Sequence, residues 1–120
     1  MIANQEGALK LIRFMFEVKK RPSLFLSKKS ITELEYVQIG FVLGYNNALD
    51  YNIDDYAYSI KKGNIWISFC DYLSDKYDIS GSNYRHLLSL SYSEADAFDL
   101  FFDELEAYLN ANGIEIPEIK

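Results

Sequence analysis

The run from residue 30 to residue 50 constrains this chain more than any other, because it reads as one helix with apolar side chains on every side. Ser30-Ile31-Thr32-Glu33 has capping-box spacing, in which the serine oxygen accepts from the N3 amide and Glu33 reaches back toward the cap. Leu34, Val37, Phe41, Tyr45, Ala48 and Leu49 recur at helical spacing, and Ile39, Val42 and Leu43 fill other faces. Such all-round apolarity predicts a central, largely buried helix. Gly40 and Gly44 lie on it, each costing about 1 kcal/mol of helix propensity relative to alanine. The expected compensation is close approach of another helix at that face.

The flanking segments also read as helical. Residues 6–20 place Leu9, Ile12, Met15 and Phe16 at helical spacing, with Ala8 and Leu11 alongside. Arg21-Pro22 ends that helix, since proline disfavours helical backbone in the residue before it. Residues 23–29 are then a connector whose Leu24, Phe25 and Leu26 turn back onto the core. Over residues 64–77, Trp66, Phe69, Cys70, Leu73 and Tyr77 share a helical face. A hairpin competes with this reading, pairing residues 56–60 with 65–69 across Lys61-Lys62-Gly63-Asn64, because Tyr58, Ile60, Ile65, Ile67 and Phe69 alternate. Residues 80–83 are a loop, followed by a short helix from Tyr84 to about Leu90. Ser93-Glu94-Ala95-Asp96 is a further helix start, a serine cap followed by acids that suit the helix dipole. That helix runs to residues 110–112, where Gly113 stops it, and residues 114–120 form a tail. The expectation is a single all-α domain over residues 1–120, a compact bundle of about five helices around the helix at 30–50. The alternative is an α+β fold with one short hairpin near residues 56–69.

Charge divides unevenly. Residues 1–30 carry Lys10, Arg13, Lys19, Lys20, Arg21, Lys28 and Lys29 against Glu6 and Glu17, while the whole chain is at −6. No lysine or arginine falls between Arg85 and Lys120, where eight acids accumulate. On a helical wheel Asp96, Asp99, Asp103 and Glu106 share an arc of roughly 80°, with no lysine nearby in sequence to relieve them. The bland reading is a solvated face; the functional one is a stripe that meets a cationic partner. The ten tyrosines, several beside aspartates, suggest a second docking surface around Asp54, Asp55, Tyr56 and Tyr58. About half of the tyrosines are assigned to the core with a hydroxyl at the surface.

Other classes find little support. No phosphate loop, zinc-ligand spacing or nucleophile elbow is present, so no catalytic residue, cofactor or metal is expected. Lys19-Lys20-Arg21 and Lys28-Lys29 are a weak nucleic-acid signal, set against a pI near 4.7; pairing of these bases with the acidic remainder of the chain is the preferred reading. No apolar stretch reaches the roughly 18–20 residues of a membrane span. The single Cys70 is expected to be a buried, inert thiol in a reducing, cytoplasmic setting.

Arg21-Pro22-Ser23-Leu24-Phe25-Leu26, then Ser30-Ile31 with Leu34, then Gly44-Tyr45-Asn46-Asn47-Ala48-Leu49, resemble a pattern in small bacterial immunity proteins. These are encoded beside polymorphic or contact-dependent growth-inhibition toxins. Phe69-Cys70-Asp71-Tyr72-Leu73 with Lys76-Tyr77, and the run from Ser93 to Phe102, follow in the same order. Ser27 stands where the family has a glycine, and Tyr84 where it has a tryptophan. The resemblance implies a cytoplasmic protein that binds a cognate toxin domain, often a cationic nuclease, and blocks its cleft with an acidic, tyrosine-rich surface. It carries over no catalytic residue. The alternative is a small acidic regulatory or adaptor protein that docks a basic protein partner.

Overall fold

A computed structural model describes residues 4–49, 63–79 and 84–120. They form five α-helices and one 3-10 helix, with no strand among them. The all-α bundle is therefore the fold.

Helix α1 (Gln5–Lys20) starts where Asn4 Oδ1 accepts from the Gly7 amide at 2.7 Å. Lys19 and Lys20 sit in its last turn, where cations suit the dipole. Its inner face buries Ala8, Leu11, Ile12, Met15, Phe16 and Val18. Arg21 leaves helical geometry as expected before proline, and Pro22 then opens a one-turn helix, α2 (Pro22–Phe25), within the stretch read as connector. Of the three side chains expected to return to the core, only Leu26 is buried; Leu24 stays 71% exposed and Phe25 lies edge-on to Phe14 at the surface. A single turn is too short to aim successive side chains at one neighbour.

Helix α3 (Ile31–Ala48) has its predicted serine cap, with Ser30 Oγ accepting from the Glu33 amide at 3.1 Å. The reciprocal half of the capping box does not form. Glu33 instead accepts from the Ser27 amide and hydroxyl at 3.2 and 2.8 Å. Glu94, from the far end of the chain, takes the helix start. It accepts from the Ser30 hydroxyl, the Thr32 amide and the Thr32 hydroxyl at 2.9, 3.0 and 2.6 Å. A carboxylate at a helix N-terminus satisfies free amides and complements the dipole.

The central position read for α3 is corrected. Its buried residues are Ile31, Leu34, Glu35 and Val42, while Tyr36, Ile39 and Leu43 are exposed, the first and last at 61% and 65%. The close contact expected at Gly40 and Gly44 is absent as well: among the described residues, a Cβ built on either would meet nothing within 4 Å.

Helix α4 (Ile65–Tyr77) is capped by Asn64 Oδ1, which accepts from the Ile67 amide at 3.0 Å. It ends at Asp78 in left-handed geometry. Residues 65–69, the second strand of the alternative hairpin, are therefore helical, which overturns that pairing; residues 56–60 lie outside the described residues. The apolar spacing decided the matter: Trp66, Phe69, Cys70 and Leu73 all go inside.

The 3-10 helix (Tyr84–Leu90) inserts Tyr84 and Leu87 into the core. Helix α5 (Glu94–Ala111) begins at Ser93, whose Oγ accepts from the Asp96 amide at 3.1 Å. It closes at Gly113, φ +68, with the Ile114 amide donating to Leu109 O at 2.9 Å. Phe98, Phe101, Phe102, Leu105 and Leu109 are all buried, so α5 takes the central role expected of α3. Phe101 packs on Tyr84, Phe69 and Trp66 with ring centroids 4.5, 5.6 and 6.3 Å apart. Phe102 reaches Phe16 of α1 at 5.7 Å.

Candidate functional site

Burial of the aromatic face of α5 turns its acidic arc outward. Asp96, Asp99 and Asp103 are exposed and Glu106 is partly so. No lysine lies near them in sequence, but two cations from the first thirty residues reach them across the fold. Lys29 Nζ lies 2.6 Å from Asp99 Oδ1, and Lys19 bonds Glu106 Oε1. Each ammonium also rests over rings: Lys29 is 5.7 Å from the Phe98 centroid, and Lys19 is 5.9 Å from those of Phe16 and Phe102. Two of the seven bases in residues 1–30 thus pair with acids of the remainder, while Lys10 pairs with Glu6 of its own helix and Lys20 and Arg21 bond main-chain oxygens. Asp96 and Asp103 form no ion pair among the described residues; nor do Asp71, Asp75 and Asp78 on and just after α4. The remaining candidates, Asp54, Asp55, Tyr56 and Tyr58, lie outside the described residues.

The other flank of α5 holds a polar cluster that sequence reasoning did not find. Glu104 is buried, yet it accepts from the Tyr72 and Tyr77 hydroxyls, both at 2.9 Å, and from Lys76 Nζ at 2.8 and 3.1 Å. Burial alone pushes its carboxyl pKa up. The bonds from Lys76, Tyr77 and Tyr72 outweigh burial and hold it below the ordinary value. Tyr77 is raised by burial and by the carboxylate it bonds, and Lys76 is raised chiefly by Glu104. Tyr72 stacks on Tyr108 at 5.0 Å. Tyr72 and Tyr77 are therefore turned inward, Tyr77 on the face that its helical spacing predicts. The available signal was Glu104's place on the wheel, outside the acidic arc and next to core positions.

Tyr84 is buried, as half of the tyrosines were expected to be, and its hydroxyl donates to Gln38 Oε1 at 3.4 Å. Tyr36 and Tyr92 are exposed. Beside Tyr84, the buried Glu35 accepts from the Arg85 amide at 3.2 Å, with Arg85 Nε 3.5 Å away, which ties the 3-10 helix to α3. Cys70 is buried, and burial, then Asp71 and Glu35, pushes its thiol up to about 12. It stays protonated at neutral pH and is a poor nucleophile.

Among the described residues, no three His, Cys, Asp or Glu side chains are grouped to hold a metal ion, and no helix is long and apolar enough to cross a membrane. The outward face of α5 offers the clearest candidate surface, a carboxylate row that spans about 10 Å from Asp96 to Asp103 at 1.5 Å per residue. Compared with known proteins, the chain matches no family model, no curated protein and no solved structure.

Proposed function

We propose that this chain is an immunity protein that acts in the cytoplasm. It binds a cognate bacterial toxin domain, a cationic nuclease, and covers its basic cleft with the outward face of α5. The observation that supports the reading is the pattern of neutralisation. The chain's own lysines take Asp99 and Glu106 at one edge of the arc, while Asp96 and Asp103 are exposed and, among the described residues, have no cation. Helical like charges repel by a few tenths of a kcal/mol per close pair. A cationic partner reverses the sign of that interaction and gains association rate by electrostatic steering.

The test is co-expression with the toxin domain encoded upstream, followed by association kinetics. Asp96→Asn with Asp103→Asn should slow association about tenfold at low salt and flatten its salt dependence, with dissociation little changed. Asp99→Asn with Glu106→Gln should have a smaller effect, since both carboxylates already hold a lysine. A folded quadruple amide variant that associates at the unaltered rate at low salt rules out the α5 face.

A further inference from the structure

Residues 114–120 leave α5 and run as an extended strap beside the groove between α1 and α5. Beyond Ile114, no main-chain amide of the strap donates a hydrogen bond among the described residues. Ile114, Ile116 and Ile119 pack on the core, all three only partly buried. The other attachments are two main-chain oxygens: Lys20 bonds Ile119 O, and Arg21 Nη2 donates to Lys120 O at 2.6 Å. Both donors are exposed side chains. A shallow cavity of about 310 Å³ remains among the strap, Phe16, Lys19, Lys20 and Glu106, so the strap does not fill its groove. An element held by half-buried contacts and exposed hydrogen bonds opens locally at low cost. Gly113, at φ +68, gives a hinge that leaves α5 intact.

We propose that the α1–α5 groove is a receptor site for an extended peptide with isoleucine-type side chains, and that residues 114–120 are its resident ligand in cis. The strap defines the chemistry. Ile116 and Ile119 line the same cavity as Phe16, and main-chain oxygens meet Lys20 and Arg21. Recognition of main-chain groups together with alternate side chains is the usual mode for extended peptides. Tethering gives the strap an effective concentration in the millimolar range, so a partner segment must outcompete it. The inference needs no toxin, although Glu106 belongs both to this groove and to the edge of the α5 acidic arc.

The experiment uses the full chain carrying Ile116→Ala and Ile119→Ala, which frees the strap and leaves the groove unaltered. The probe is the synthetic peptide Ile-Glu-Ile-Pro-Glu-Ile-Lys, titrated calorimetrically. The variant should keep its helical circular dichroism and bind the peptide one-to-one, at least tenfold more tightly than the unaltered chain, whose own strap competes. Adding Lys20→Gln and Arg21→Gln should weaken binding at least fivefold. A folded variant that ignores the peptide, or an unaltered chain that binds it equally well, overturns the proposal. In the unaltered chain, methyl relaxation dispersion at Ile116 and Ile119 should report opening; methyls as quiet as those of Leu105 overturn it too.

Discussion

At Glu104 a carboxylate lies among core side chains and keeps its charge, because two tyrosine hydroxyls and Lys76 replace the water it lost. Its folded pKa is depressed. The unfolded state therefore binds more protons as pH drops below the ordinary carboxylate value, and the stability this group contributes is present above that value and lost as pH falls through the folded one. Glu94, held below its ordinary value by Thr32 and Ser30 against burial, acts in the same direction. Glu104→Gln should cost about 2 kcal/mol at pH 7, the scale of hydrogen bonds to a charged group. It should also shrink the stability difference between pH 7 and pH 3.5. Urea midpoints at the two pH values check both, and an unchanged difference removes Glu104 as a source of acid sensitivity. Tyr72 and Tyr77 lie 32 and 27 residues from their acceptor. Nothing local reveals a partner so far along the chain.

The element scale was the most legible. Ser30, Ser93 and the stop at Gly113 all act where the sequence places them, because a cap is an interaction among three or four successive residues. Burial was less legible. Periodicity tells which side chains are apolar, but it does not count the neighbouring elements available to cover them. Helix α3 is apolar all round, yet it packs on α1, α5 and the 3-10 helix along one side and leaves Tyr36, Ile39 and Leu43 in contact with water. Gly40 and Gly44 belong to that open side. Gly44→Ala should therefore stabilise the protein by about 1 kcal/mol, the propensity gain with no steric penalty. Gly40→Ala should behave alike. A lower melting temperature for either variant means that a neighbour does occupy this face.

Across the whole molecule, one aromatic core joins α4, α5 and the 3-10 helix, and α1 enters it through Phe16. The single tryptophan, Trp66, is buried in it against Phe69, Tyr84 and Phe101. Its fluorescence reports the core, while far-UV circular dichroism reports all the helices. The two should trace one coincident urea transition, the mark of a cooperative small domain. Separated midpoints would mean that α1 and the α4–α5 layer unfold independently.

Helix positions, caps, the amphipathic split of α5 and the uneven charge were determined by the sequence itself, since each depends on residues within a turn or two of one another. Tertiary structure alone decided which apolar face of α3 stays open and which α5 acids are neutralised. It also decided that Glu94 serves the start of α3 and that residues 114–120 lie on Lys20 and Arg21. Those contacts join residues 62 to 99 positions apart. Their free energies are small beside the hydrophobic burial that brings the helices together, so packing chooses the partners and local pattern does not display the choice.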